Sequence, residues 1–373
     1  MSPTGSAIGS RILRSRALAA LTSPHGVDRY LEQVNPMWAA HEVRARVVEV
    51  RRETTGSPES GTAPVATITL QPTSTWRGHR AGQYVQVGVD LPGSRRRTTR
   101  CFSISSAESG PGERFTLTVR AHDEGQVSKF LVHEAEPGQM LHLSQADGDF
   151  TLPGSPATPS PYPLVFITGG SGITPAMSMV RTLLRDGYDA KAHRKVLFLH
   201  FARSPEDQIF ADELAEIAAA DNDIDVHLRY GEQIFSEFEL RRLVPDYRNT
   251  DTWACGPGAM VELIQAAYAG SDRLRLEFFE PPRISGGEAA EGDVVFGRAG
   301  RSAANTGESL LDQAEALGLK PEFGCRMGIC FTCTSKKTEG TVRNVITGAE
   351  SSLPDEDIQI CVSAPVGDCV VDL

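Results

Sequence analysis

Residues 323–333 read Phe-Gly-Cys-Arg-Met-Gly-Ile-Cys-Phe-Thr-Cys. Their cysteines, Cys325, Cys330 and Cys333, fall as C-x4-C-x2-C, and Cys361 follows after 27 intervening residues. This is the thiolate spacing that wraps one plant-type [2Fe-2S] cluster. Two irons share four thiolates, so three come from one tight loop and the fourth from a neighbouring strand. Gly324 and Gly328 let the loop turn and bring backbone N–H groups toward the sulfurs, where such bonds tune the potential. A structural zinc site and unrelated buried cysteines are the alternative readings. Ahead of the loop, Leu310, Leu311, Ala314 and Leu317 share one helical face, and Gly318 ends that helix.

Upstream, the chain of 373 residues has room for two or three domains. With 40% hydrophobic and 23% charged residues it reads as globular. No apolar run reaches eighteen residues, so no membrane span is expected. Met1–Arg16 carries Arg11, Arg14 and Arg16 without an apolar core, which argues against a signal peptide. Seven cysteines, four of them in one metal pattern, fit a reducing cytoplasm. A net charge of −11 argues against a nucleic-acid partner. Glu291–Leu373 holds thirteen acids against seven bases, while Arg77–Arg120 holds eight bases against three acids. That contrast suggests internal docking, a basic acceptor surface, or ordinary solvated faces.

Five segments are expected: an N-terminal extension (1–40), a flavin-binding antiparallel β-barrel (41–152), a nucleotide-binding α/β domain with a parallel sheet (160–280), a Pro/Gly/Glu-rich linker (281–292) and a [2Fe-2S] ferredoxin domain (293–373). One short helix is expected in the extension. The barrel rests on short alternating runs at Val43–Val50, Val65–Leu70, Tyr84–Val89, Phe115–Val119 and Met140–Leu143, with a helix over Gln126–Glu134. A Pro/Ser stretch at 153–161 marks a boundary. Beyond it strands alternate with helices: Leu164–Ile167 before a helix from Pro175, Val196–His200 before a helix over Asp207–Ala220, then Ile224–Leu228, and Thr252–Cys255 before a helix over Ala259–Ala269. This rhythm is that of a parallel, doubly wound sheet.

The first chemical motif, Arg100-Cys101-Phe102-Ser103-Ile104-Ser105-Ser106, puts an arginine, an aromatic and a serine in strand alternation. They suit a flavin diphosphate, its ring face and its N5 edge, and an ordinary strand is the bland alternative. Gly125-Gln126-Val127-Ser128 adds a glycine opening a helix, where free N–H groups face a phosphate. Gly169-Gly170-Ser171-Gly172-Ile173-Thr174-Pro175 joins a strand to a helix and can hold a dinucleotide diphosphate, although Pro175 takes the place of the third glycine of G-x-G-x-x-G. Cys255-Gly256-Pro257-Gly258 ends another strand and faces the same crevice. Its thiol either lies beside a nicotinamide or is a small buried residue. Arg203 and Arg229 each follow a strand and are candidates for the 2′-phosphate of NADPH, or solvated loop residues. Ser94–Arg97 reads as a solvated loop and Cys369 as packing.

Together these motifs resemble the ferredoxin–NADP reductase superfamily, in its iron–sulfur flavoprotein branch, over about Glu42–Leu373. RCFSISS looks like the family's R-x-Y-S-x-x-S flavin motif, with Phe102 keeping ring stacking but losing a hydroxyl. GGSGITP and CGPG are similar to its nucleotide and nicotinamide loops. Glu277-Phe278-Phe279 resembles the E-x-F whose last residue, Phe279, covers the flavin or nicotinamide. Bulky Phe331 sits where the plant-type ferredoxins commonly have a small residue. The resemblance implies a C-terminal β-grasp (α+β) ferredoxin domain. It further implies FAD, NADPH and a [2Fe-2S] cluster as cofactors, with Ser103, Cys255 and Phe279 at the reacting ring. The segment PHGVDRYLEQVNPMW resembles bacterial reductases that serve membrane acyl-CoA (stearoyl-CoA) 9-desaturases. A membrane di-iron desaturase or hydroxylase is therefore the expected acceptor. An NADH-dependent reductase of a Rieske-type ring or steroid hydroxylase is the nearest rival, and a zinc-bearing interaction protein the distant one.

Overall fold

The computed structural model describes residues 26–57, 61–91, 97–122, 125–153, 162–186, 194–279, 290–324, 326, 328 and 331–373. Most of both linkers, residues 94–96, Cys325 and Cys330 thus lie outside the described residues. The chain falls into two compact units, one of residues up to Leu164 with Ile173–Glu232, the other of Val165–Gly172 with Gln233–Leu373.

The N-terminal helix α1 spans Val27–Val34. Val27, Tyr30, Leu31 and Val34 recur at helical spacing, but only Val27 among them is buried. Polar anchors hold the segment instead. The Asp28 carboxylate accepts the N–H groups of Ala40 (2.6 Å) and His41 (3.1 Å). Arg44 is wholly buried and donates to the carbonyls of Pro36 (3.2 Å) and Trp38 (2.5 Å) and to Glu42 (2.9 Å).

The barrel comprises β1 (Val43–Thr54), β2 (Val65–Pro72), β3 (Tyr84–Val89), β4 (Thr98–Ser103), β5 (Phe115–Arg120), helix α2 (Gln126–His133) and β6 (Met140–Leu143), in the sheet order β4-β3-β6-β1-β2-β5. Its two edges meet through an Ile104–Leu117 bridge and the Ser105 N–H to Thr116 carbonyl bond (2.9 Å). This contact closes the barrel at the end of β4. Inward Val47, Ile68, Leu70, Val85 and Leu117 fill the centre, each contributing about 1.5–3 kcal/mol by burial. Strand β1 runs past Val50 because its ladder with β2 continues through Arg51, Arg52 and Thr54.

Next come β7 (Leu164–Gly169), a 3-10 turn (Gly170–Gly172), α3 (Ile173–Arg185), β8 (Val196–Ala202), α4 (Ala211–Ala219), β9 (Ile224–Tyr230), α5 (Glu237–Leu243), β10 (Thr252–Gly256), α6 (Gly258–Ala267) and β11 (Leu274–Phe278). The strands form one five-stranded sheet, β11-β10-β7-β8-β9, and the registered pairs are parallel. Every residue of β7 is buried, as a strand covered on both faces requires. The helix expected over Asp207–Ala220 begins at Ala211. Buried Phe210 is left-handed (φ 59°), which separates α4 from a 3-10 turn at Pro205–Asp207.

The C-terminal part contains β12 (Asp293–Phe296), β13 (Arg301–Ala304), α7 (Leu310–Ala316), β14 (Thr334–Asn344), β15 (Glu350–Ser351), β16 (Glu356–Gln359) and β17 (Ser363–Asp372). The sheet runs β13-β12-β17-β14-β15, with β16 also on β14, and β12 and β17 are parallel. Leu310, Leu311 and Ala314 of α7 pack into its core, giving the β-grasp arrangement, and Gly318 (φ +78°) stops the helix. Ser309 caps α7 by accepting the Asp312 N–H. Among the described residues no helix is long and apolar enough to cross a membrane.

One buried imidazole makes barrel stability pH-dependent. His79 lies near the rings of Trp76 and Phe115; its Nε2–H faces the Ser106 carbonyl (3.5 Å), so Nδ1 accepts from the Ser109 hydroxyl (2.9 Å). Desolvation, aided by the Arg185 charge, pushes its pKa down to about 4. Between pH 6.5 and 4 the unfolded chain therefore binds more protons than the folded one. The contribution is complete above about pH 6.5 and is lost as pH falls toward 4, on the order of 3 kcal/mol in all. Urea midpoints across that window should fall with pH in the natural chain and fall less steeply in His79→Gln.

Candidate functional site

The expected flavin residues lie on and beside β4. Arg100, Cys101 and Phe102 are half-buried, and Phe102 packs one side against the barrel core. Ser103 is buried and in register with Tyr84. The Ser106 hydroxyl accepts the Thr116 N–H (3.1 Å), so it also anchors the turn after β4. Gly125 sits at the N-cap of α2, where a Cβ would lie 2.3 Å from the Ser128 hydroxyl. That hydroxyl turns back, accepting from the His122 N–H (3.2 Å) and donating to the Gly125 carbonyl (3.2 Å). The Val127 side chain belongs to the core. What Val127 and Ser128 offer a phosphate is the first-turn backbone N–H, together with the positive end of the helix dipole.

On the nucleotide side, two strand-end turns interlock. A Cβ on Gly172 would lie 2.3 Å from the Cys255 carbonyl oxygen and one on Gly169 2.9 Å from Pro257 Cδ, while one on Gly256 would meet the Gly169 nitrogen at 3.0 Å. Gly170 differs: it is left-handed (φ +54°) with open space where a Cβ would stand. The Met260 side chain closes the other side of both Gly169 and Gly256 (Cε 3.1 and 2.4 Å from their Cβ positions), so the two turns pack with no room for added side chains. Thr174 and Pro175 are buried in the first turn of α3, which starts at Ile173, two residues earlier than expected; Pro175 is tolerated there because first-turn N–H groups need no helical partner.

Cys255 is fully buried, and desolvation with the nearby Glu277 carboxylate pushes its thiol well above the ordinary range. It is a neutral thiol on β10, in register with Glu277 of β11. Phe279 follows β11 and is half-buried. Arg203 and Arg229 stand at the carboxyl ends of adjacent β8 and β9, Phe201 being in register with Arg229. One guanidinium nitrogen of Arg203 donates to the Gly61 carbonyl (2.6 Å), and one of Arg229 to the Leu228 carbonyl (2.9 Å).

In the C-terminal domain, Cys333 and Cys361 are buried members of one core. The β14–β16 register, Thr334 with Gln359, brings Cys333 beside Ile360, whose N–H donates to the Cys333 carbonyl (3.4 Å). Their partners Cys325 and Cys330 lie outside the described residues. The loop carries three left-handed residues, Arg326 (φ 57°), Gly328 (φ +72°) and Phe331 (φ 55°), and Phe331 is 68% exposed.

Two anchoring residues escaped the sequence reading. Arg326 pairs with Asp312 (3.2 Å) and Glu315 (2.5 Å) on α7 and lies 4.0 Å over the Phe323 ring, tying the cysteine loop to the helix before it. Arg181 on α3 pairs with Glu213 and donates to the Ser105 carbonyl (2.5 Å). Arg181 lies in no motif and Arg326 sits inside the cysteine loop as a non-ligand, and both pairings join residues distant in sequence.

Three family models match the chain: an oxidoreductase FAD-binding domain over residues 60–152, an oxidoreductase NAD-binding domain over 166–266 and a 2Fe-2S iron-sulfur cluster binding domain over 296–366. The chain is 38% identical over 363 residues to an NADPH oxidoreductase of Mycobacterium tuberculosis, covering 95% of this chain and 90% of that one. It is 30% identical over 331 residues to a glycine betaine monooxygenase reductase subunit of Pseudomonas aeruginosa, with 79% and 87% covered. Among solved structures, phthalate dioxygenase reductase shares the fold with a TM-score of 0.57 at 19% identity, over 88% of this chain and 97% of that one. FAD-binding, NAD-binding and [2Fe-2S] domains are thus all present. Because backbone atoms meet any Cβ at Gly172, Gly172→Ala should raise the KM for the nicotinamide nucleotide about tenfold or more while flavin absorbance per chain stays constant.

Proposed function

The chain belongs to the ferredoxin reductase family of NAD(P)H oxidoreductases, and on that premise we propose that it carries electrons from NADPH through FAD and a [2Fe-2S] cluster to a membrane acyl-CoA desaturase. The observation that carries this reading is the 38% identity, over 95% of the chain, to a relative named for NADPH. When bound, the cofactors supply the redox chemistry, hydride acceptance at the flavin and one-electron transfer at the cluster.

The chain's own residues bind and orient. Arg100 and the α2 first-turn N–H groups hold the flavin diphosphate, with Phe102 at the ring face and Ser103 at the N5 edge. Gly169, Gly170, Gly172, Gly256 and Pro257 let backbone approach the dinucleotide, and Thr174 and Pro175 set the first turn behind it. Phe279 covers the ring and excludes water; neutral Cys255 shapes the pocket wall without adding charge. Cys325, Cys330, Cys333 and Cys361 are the cluster ligands. Arg203 and Arg229 favour the 2′-phosphate, since a guanidinium matches phosphate geometry.

The N-terminal segment supports a membrane partner. It is tied to the barrel through Arg44 and presents Tyr30, Val34 and Trp38 at 46, 72 and 52% exposure, a surface for docking. Docking of this kind makes the chain peripheral at the membrane through its partner. A second reading, the NADH-dependent reductase of a Rieske-type hydroxylase, is favoured by relatives named as reductase subunits of glycine betaine monooxygenase and stachydrine N-demethylase, at 30% and 28% identity.

Two measurements test the proposal. Arg229→Ala should raise the KM for NADPH roughly tenfold or more, the worth of one charge-assisted phosphate contact, with the KM for NADH within about twofold; an unchanged ratio removes Arg229 from the argument. Nucleotide-driven reduction of purified acceptors should favour a histidine-rich membrane di-iron protein over a soluble Rieske protein, and the reverse order would establish the second reading.

A further inference from the structure

The first turn of α3 carries Thr174 and Pro175, and one face of the same helix is spent on the barrel. Ser178, Arg181, Thr182 and Arg185 fall at i, i+3, i+4 and i+7 and so share that face. Ser178 is fully buried; its hydroxyl donates to the Ser106 carbonyl (2.6 Å) and accepts the Gly82 N–H (3.3 Å). Arg181 donates to the Ser105 carbonyl (2.5 Å) while a bidentate pair with Glu213 and the Phe210 ring, 4.4 Å away, hold its guanidinium still. The Thr182 hydroxyl accepts the Glu108 N–H (2.8 Å) and donates to the Ser178 carbonyl (2.8 Å). Arg185 donates to the Glu108 carbonyl.

Of the bonds from this face to the barrel, all but one fall on the backbone of residues 105–108, the end of the flavin motif Arg100–Ser106 and the two residues after it. The other side of that segment is fixed to β5, through the Ser105 N–H to the Thr116 carbonyl (2.9 Å) and the Thr116 N–H to the Ser106 hydroxyl (3.1 Å). The remaining contact, at Gly82, is equally tight: Gly82 is left-handed (φ +91°), and a Cβ there would lie 2.0 Å from the Phe150 carbonyl oxygen and 2.4 Å from Met179 Cε. Packing alone does not call for four polar side chains directed at one stretch of main chain. Main-chain targets fix position in a way that apolar contact does not, because each bond has a narrow range of length and angle.

We infer that this face of α3 is a positioning latch, which holds the flavin-motif strand in fixed register with the nucleotide-side first turn at Thr174 and Pro175. The inference rests on the flavin and nucleotide assignments above and is independent of the acceptor. Hydride transfer needs donor and acceptor atoms within near-contact distance, and a misplacement of about 1 Å costs up to a hundredfold in rate. The latch residues touch neither cofactor. They act through the 105–108 backbone.

The test compares Thr182→Val, which keeps the shape and removes the hydroxyl, with Thr182→Ser, which restores it, in the full flavin-loaded chain. Stopped-flow bleaching of the flavin at saturating NADPH should slow about tenfold in Thr182→Val, with nucleotide Kd and flavin content within about twofold, and should recover in Thr182→Ser. Amide exchange at Glu108 should quicken in the valine variant alone. Arg185→Gln, at an exposed position, is the second variant should Thr182→Val lose flavin, and it should slow bleaching in the same direction. Bleaching at the natural rate despite faster Glu108 exchange, or in a flavin-replete Arg185→Gln, would overturn the latch. A natural chain whose flavin neither NADPH nor NADH bleaches would overturn the cofactor assignment and the latch with it.

Discussion

The nucleotide half of this protein depends on two strand ends approaching until no side chain fits between them. The turn after β7 presses on the turn after β10 so closely that the Cys255 carbonyl occupies the space of any Cβ at Gly172. A parallel sheet leaves its carboxyl edge as a crevice, and at this contact main chain meets main chain beside the Met260 side chain. From that contact α3 departs with its first turn already set. Packing by itself already requires these glycines, before any ligand is considered.

Charge is used sparingly inside and heavily at joints. Arg44, Arg181 and Arg326 each bind carbonyl oxygens or carboxylates from a separate stretch of chain. Arginine suits this work because its planar fork satisfies several acceptors at once without losing its charge. Cysteine shows the opposite economy: Cys255, Cys333 and Cys361 are all buried within the cores of their own sheets.

Much of this was legible in the order of residues. Alternation located β1, β2, β3, β5 and β6, the all-apolar run at 164–167 marked a doubly covered strand, and Leu310, Leu311 and Ala314 identified α7 by their spacing. The glycine-rich turns and the cysteine spacing pointed to the cofactors. The start of α4 was not legible, since the left-handed Phe210 that delays it is stabilised by packing and by a guanidinium from another helix. β11 and α5 were not legible either, since charged residues (Arg275 and Glu277; Glu237, Glu239, Arg241 and Arg242) break up their apolar positions. Arg326 and Arg181 escaped because their partners lie 11 to 76 residues away, a distance that no local pattern reports.

The burial of Arg44 also decides where the protein can be shortened. The turn at Pro36–Trp38 and the carboxylate of Asp28 satisfy groups at the base of β1, so the helix ahead of the barrel belongs to the barrel's own folding unit rather than to a detachable leader. Trimming back to Gly26 leaves every one of those bonds in place. Trimming to the first residue of β1, the boundary that strand assignment alone would suggest, would strip a sequestered cation of its acceptors. The proper amino-terminal limit of the barrel is therefore a matter of charge solvation, some sixteen residues ahead of its first strand.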